Sequence, residues 1–125
     1  MIFKIRTSKK TMLIFEEISA SIGYPPFILS KLSISLSIKS EIPLEEKDFN
    51  LDNNGLELNR QTITSEWDDL YKCLIEMSEK RHIDDDEYFQ RYIKAHLDRG
   101  AKLIYREFKY NNDFLLSLLN DKQGL

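Results

Sequence analysis

The first forty residues read as one short strand followed by two helices joined at a glycine, an order that few small folds accommodate. In Ile2-Phe3-Lys4-Ile5-Arg6 the side chains alternate, so Phe3 and Ile5 share one apolar face while Ile2, Lys4 and Arg6 share a largely basic one. Thr7 and Ser8 offer side-chain oxygens to the free amides of a helix start. Ile14, Phe15, Ile18 and Ile22 then recur at helical spacing until Gly23 stops the run, which predicts a helix over roughly 9–22. Pro25 and Pro26 suit the first turn of a second helix, where a missing amide hydrogen costs little, and Ile28, Leu29, Leu32 and Leu36 form its expected buried stripe. Its tail, LSISLSIKS, also alternates with period two, so a strand over residues 32–38 is the alternative there.

A ribbon this short is not stable alone and requires a partner strand, most simply from a second copy about a two-fold axis. The stretch resembles the ribbon-helix-helix family of DNA-binding dimers, whose paired strands enter the major groove. The resemblance implies that Lys4 and Arg6 face DNA. The alternative is that they merely solubilise an edge strand. Pro25 and Pro26 depart from that family, which usually offers a Ser or Thr cap and free amides at this helix start, and this counts against a phosphate clamp there.

With 125 residues, 42% of them hydrophobic and 31% charged, the chain is long enough for a core of its own and carries no low-complexity tract. It reads as a single domain: a ribbon-helix-helix-like half over 1–40, a connection over 41–61 and a helical half over 62–125, with disorder expected only in the last few residues. No window approaches the roughly 20 apolar residues of a membrane span, and the start MIFKIRTSKK lacks a signal-peptide core, so a cytoplasmic protein without membrane partners is expected. Cys73 is the only cysteine, which excludes an internal disulfide and a multi-cysteine zinc site; helical spacing makes it a packed thiol. The net charge of −3 hides segregation: residues 1–40 carry +4, residues 41–87 carry −10 and residues 88–125 carry +3. Phosphate attraction depends on local patches, so two basic segments around an acidic centre are compatible with DNA contact, and equally with charge pairing between subunits.

Pro43, Asn50, Asp52, Asn53, Asn54 and Gly55 mark the connection, with a tight turn near Asn54-Gly55. Asn50, Asp52, Asn54 and Gly55 have the spacing of half an EF-hand loop, but Gln61 occupies the position of the closing glutamate, so a turn explains them without calcium. A third helix is expected from Thr64 or Ser65, burying Trp67, Leu70, Tyr71, Leu74 and Met77 on one face. His82 with Asp84, Asp85, Asp86 and Glu87 invites a divalent-metal or nuclease reading. Acidic residues also belong at the start of the next helix, where the dipole favours them, and that reading is the stronger. At 100° per residue, Arg91, Lys94, Arg99, Lys102, Arg106 and Lys109 fall within an arc of about 140°, opposite Phe89, Ile93, His96, Leu103, Ile104 and Phe108. The phase survives Gly100, which predicts one continuous or kinked helix over about 86–109, with Gly100 permitting close approach and His96 hydrogen-bonded in the core.

Three blocks in this order and spacing, IRTSKKTMLIFEEISASIGYPPFILSKLSISLSI, NNGLELNRQTITSEWDDLYKCLI and YFQRYIKAHLDRGAKLI, make residues 6–119 resemble the DndE family of DNA phosphorothioation proteins. The resemblance implies a small helical DNA-binding subunit that assembles as a homo-oligomer, a dimer or tetramer, and favours nicked double-stranded DNA. It implies no cofactor and no chemistry of its own. The sulfur transfer would belong to partner proteins: a cysteine desulfurase, an iron-sulfur protein and an ATPase. A lone cysteine agrees, since one thiol supports neither sulfur relay nor cluster ligation.

The fold class expected is mainly α, a short N-terminal strand plus four to five helices. The leading function is sequence-tolerant DNA binding through Lys4, Arg6, Lys9, Lys10 and Lys31 and the ridge of Arg91, Lys94, Arg99, Lys102, Arg106 and Lys109. The alternatives are an operator-reading repressor, a protein-interaction subunit without DNA affinity, and, least favoured, a metal-dependent nicking nuclease at residues 84–87.

Overall fold

In the computed structural model, described for residues 1–49 and 52–110, a short strand and two helices lie against a long C-terminal helix. Strand β1 (Lys4–Arg6) leads into helix α1 (Lys9–Ile22), whose first turn is capped by Ser8 Oγ accepting from the Thr11 amide at 3.1 Å. Gly23 ends α1 at φ 79°, and helix α2 (Pro26–Lys39) starts at the second proline. The alternating tail is helical, not a strand. The buried residues form one cluster reaching from Ile5 and Phe15 through Leu29, Ile34 and Ile75 to Leu97 and Ile104, so the mainly α class holds across both halves of the chain.

The partner of β1 corrects the expectation of a second copy. It is β2 (Glu57–Asn59) of the same chain, antiparallel, with Ile5 opposite Leu58 as the one buried pair. Three residues inside a supposed connection carry too little pattern to announce a strand. Helix α3 (Arg60–Ile63) follows, then a 3-10 turn over Ser65–Trp67 and helix α4 (Asp68–Glu79). Here a second expectation fails. Trp67, Leu70, Leu74 and Met77 do share a face, but that face is exposed; α4 buries Ile75 instead, and Cys73 is exposed, not packed.

The C-terminal helical path runs unbroken from α5 (Asp85–Glu87) through a π-helical stretch, Tyr88–Ile93, into α6 (Lys94–Tyr110). The wider π turn shifts the rotational phase. Residues before and after it therefore do not keep the 100° spacing that placed all six basic residues on one side: Arg91 is exposed while Lys94 is buried. Helix α2 meets α6 across a face of buried serines, Ser30, Ser33 and Ser37, where the expected stripe of Ile28, Leu32 and Leu36 is only half-buried. Ser30 and Ser33 return their hydroxyls to the Pro26 and Leu29 carbonyls at 2.8 and 2.7 Å, so small polar residues cost little there. Gly100 lies against the Ser33 backbone, the close approach that the sequence suggested.

His96 is buried, as expected. Arg99 Nε donates to Ser37 Oγ at 2.8 Å, and that hydroxyl is hydrogen-bonded to His96 Nδ1, also 2.8 Å away. Burial first, then the Arg99 charge, lower the imidazole to about 4, with Asp48 opposing. The ordinary unfolded value is ~6.5, so as pH falls the unfolded chain takes the proton first. Stability should thus decline between pH 6.5 and 4, by about 2 kcal/mol from pH 7.5 to pH 5. Urea denaturation at those two pH values checks this, and the decline should vanish in His96→Gln.

Candidate nucleic-acid interface

β1 exposes Lys4 and Arg6 on either side of buried Ile5, and Glu57 of β2 stands opposite Arg6 and 3.8 Å from Lys4 Nζ. Both members of that ion pair are well exposed, so it holds Lys4 weakly. A depression of about 200 Å³ beside the strand is lined by Ile2, Lys4, Ile5, Arg6, Asn53, Gln90 and Lys94. A second, of about 360 Å³, shares Asn53, Gln90 and Lys94 with it and adds Phe49, Glu87, Arg91 and Ala95. Lys4, Arg6 and Arg91 therefore border one continuous groove. The Arg91 guanidinium sits 4.2 Å over the Phe49 ring, a planar cation held against an aromatic wall.

Lys94 lines the groove but does not offer its charge. Its ammonium donates to Asp98 Oδ2 and to the Asp52 carbonyl, both at 2.8 Å. Asp98 Oδ1 accepts from the Ser8 amide and the Thr11 hydroxyl, and Asp52 Oδ2 accepts from the Lys9 amide, which lowers the Asp52 carboxyl. Lys94 is thus the tie that holds the loop, the start of α1 and α6 together. The loop residues read as half an EF-hand are a turn: Asp52 Oδ1 accepts from the Asn54 amide at 2.9 Å, while Asn50 lies outside the described residues. Arg99 is also internal. It bonds the Ser37 hydroxyl and carbonyl and the Pro43 carbonyl and approaches Asp48 at 3.9 Å.

The remaining basic residues are more accessible. Lys102 and Arg106 are exposed on α6, and Lys9 and Lys10 at the start of α1; none of these four side chains has an ion-pair partner among the described residues. Lys109 reaches Glu17 of α1 at 3.2 Å; hydrogen bonds from Tyr105 and Lys109 lower the Glu17 carboxyl. Lys31 lies half-buried, 5.9 Å over the Phe27 ring at the start of α2. The helix starts of the N-terminal module are poor phosphate cradles, because Asp98 and Asp52 occupy the Ser8 and Lys9 amides at α1 and Pro26 lacks an amide at α2.

Asp68 and Asp85 of the acidic centre are structural, and sequence reading missed their anchor. Arg60 is buried between Asp68 (Nη2 to Oδ2, 2.6 Å) and Asp85 (Nη2 to Oδ1, 2.7 Å), stacked 4.8 Å from the Phe89 ring, and bonded to the Ile2 carbonyl. Burial opposes charge on Asp68, yet hydrogen bonds from Arg60, Thr64 and Tyr88 outweigh it and hold the carboxyl low; Arg60 does the same for Asp85. The residues that invited a nuclease reading have other tasks: Asp84 caps α5 through the Glu87 amide, Glu87 pairs with Arg81, and His82 meets Glu76. Among the described residues no three His, Cys, Asp or Glu side chains gather where a metal ion would sit. No helix among them is long and apolar enough to cross a membrane.

The fold has solved counterparts. A crystal structure of DndE from Escherichia coli B7A, involved in DNA phosphorothioation modification, superposes at a TM-score of 0.66 with 17% identity, covering 83% of this chain and 97% of that one. A DndE mutant carrying two glycine-to-lysine changes gives a TM-score of 0.63 at 16% identity, over 82% and 97% of the two chains. No curated protein matches the sequence. The family model for the DNA sulphur modification protein DndE matches residues 4–112, nearly the whole described chain, and this chain belongs to the DndE family.

Proposed function

We propose that this chain is a DNA-binding accessory subunit of a phosphorothioation system, holding duplex DNA through backbone phosphates and performing no chemistry itself. One observation carries the reading: Lys4, Arg6 and Arg91, from segments more than eighty residues apart, converge on one groove, while Asp98 and Asp85 nearby are held by Lys94 and Arg60. Lys9, Lys10, Lys102 and Arg106 extend the accessible positive charge. The cations reach out on long side chains, which suits phosphates in any sequence better than base edges. An operator-reading repressor fits less well, because its ribbon is built from two copies, whereas β1 pairs with β2 of its own chain. A break in one strand makes DNA easier to bend, so a surface with charge spread across α1, β1 and α6 favours a nicked duplex through deformation energy.

Fluorescence anisotropy with matched nicked and intact duplexes across a salt series tests this. Binding should weaken steeply with salt and favour the nick. Arg6→Ala and Arg91→Ala should each lower the log–log salt slope by about 1, while Lys31→Ala, seated over Phe27, should change it less. Equal affinity for both duplexes would remove the nick preference, and no binding at low salt would remove the DNA reading. Mg²⁺-dependent strand cleavage lost in Asp84→Ala would overturn the non-enzymatic assignment.

A further inference from the structure

The groove beside β1 changes character along its length. Lys4 and Arg6 stand at one end; at the other a cavity of about 360 Å³ is walled by Phe49, Asn53, Glu87, Gln90 and Arg91, with buried Ala95 beneath. Glu87 is paired with Arg81 and Lys94 with Asp98, so Arg91 supplies the one unpaired charge among the residues lining this cavity. The aromatic wall is braced from behind. Phe49 meets Tyr92 edge to face, with ring centroids 5.4 Å apart at 89°, and the Tyr92 hydroxyl accepts from Arg81 Nη2 at 2.7 Å. The Arg91 guanidinium lies 4.2 Å over the Phe49 ring on an otherwise exposed side chain. Gln90 and Arg91 both belong to the π-helical stretch, a geometry that recurs at functional sites.

We propose that this cavity receives one unpaired nucleobase of bound DNA, stacked on the Arg91 and Phe49 pair, while the flanking phosphates run past Lys4 and Arg6. The inference rests on the DNA reading and adds a second kind of contact to it. Three observations select a base. First, a guanidinium seated on an aromatic ring is a stacking platform, and splayed bases are taken up on such planes whatever their sequence. A phosphate clamp alone needs no aromatic wall. Second, Asn53 and Gln90 are exposed at the rim, and neither side-chain amide is hydrogen-bonded among the described residues. Each carries donors and an acceptor, so together they can meet the edge of any base. Third, the Glu87 carboxylate on the wall repels a phosphate, which leaves the uncharged base as the part of a nucleotide that fits. A paired base is held inside the duplex stack, so the cavity favours DNA in which one base is free to swing out.

Fluorescence anisotropy with three duplexes of otherwise identical sequence tests this: fully paired, carrying one unpaired adenine, and carrying an abasic residue at that same extra position. The abasic duplex keeps the flexibility and removes the base, so stacking is separated from ease of bending. The full-length chain should bind the unpaired adenine about five- to tenfold more tightly than the abasic duplex. Arg91→Lys keeps the charge but removes the plane; it should bring that ratio near one with the salt slope of the wild type and unchanged circular dichroism. Gln90→Ala, at an exposed position, should lower the ratio about threefold. A ratio near one in the wild type, or one that survives Arg91→Lys, would overturn the assignment and leave the phosphate contacts standing. No binding of any duplex at low salt would remove both. Displacement of the unpaired-adenine duplex by millimolar deoxyadenosine monophosphate, with the paired duplex left bound, would give the cavity to a free nucleotide and overturn its assignment to DNA.

Discussion

Arg60→Ala is expected to cost about 3–5 kcal/mol, the scale measured when one partner of a buried ion pair is removed. Against a total stability of roughly 5–15 kcal/mol for a small domain, this is a large share of what holds the fold together. The loss goes beyond one pair. Among the described residues Arg60 is the only cation bonded to Asp68 and Asp85, and its planar group fills the space beside Phe89 and Tyr88. Its Nη1 also holds the Ile2 carbonyl, so β1 loses a tether. Arg60→Lys keeps the charge but cannot grip two carboxylates with a fork, and should fall between the wild type and alanine. The carboxylates add a pH signature. Both are held below their ordinary value near 4, so their contribution is complete above that pH and is lost as pH falls through the lower folded values. Urea unfolding at neutral pH is the measurement; a loss below ~1 kcal/mol would mean that the cluster is no more than a surface network.

Gly100→Val should be nearly as damaging. A Cβ at residue 100 would collide with the Ser33 carbonyl, a backbone group that cannot swing aside, so α2 and α6 must separate. Alanine gains at most ~1 kcal/mol over glycine from helix propensity, whereas forcing atoms into a packed interface costs about 1–3 kcal/mol and sometimes more. The steric term wins, and more decisively for valine. Separation would also pull Ser37 from His96 and Arg99, adding unsatisfied polar groups to the strain. For a domain of this size a drop of roughly 10 °C in Tm is expected for Gly100→Ala and more for Gly100→Val. An unchanged Tm would show that the helices tolerate a wider gap.

Much of this fold was legible because its signals are local. Ser8, Gly23 and the paired prolines set the limits of α1 and α2 directly, and Gly100 announced a close helix contact. What escaped depended on other parts of the chain. Periodicity placed Trp67, Leu70, Leu74 and Met77 on one face but could not say whether this chain covers it. The angular count that grouped Arg91 with Lys94 assumed an α-helix throughout, and six π-helical residues separated them into one outside and one inside. Arg60 sits in a segment without apolar rhythm, and its partners lie 8 and 25 residues away, so nothing nearby marks it as buried. For the candidate site, the sequence supplied Lys4, Arg6 and Arg91 as basic residues, but their convergence needed β2 and the Asp52 turn, and the withdrawal of Lys94 and Arg99 needed the packed interior.

The closed helix starts of the N-terminal module have a dynamic consequence. With Asp98 and Asp52 on the Ser8 and Lys9 amides and prolines at the start of α2, a polyanion lying along this protein would meet mostly long side chains there. Exposed side chains reorient on the picosecond to nanosecond scale, so individual contacts are exchanged one at a time while the whole stays bound. On the proposed function, a duplex held in this way would travel along the surface instead of locking into one register.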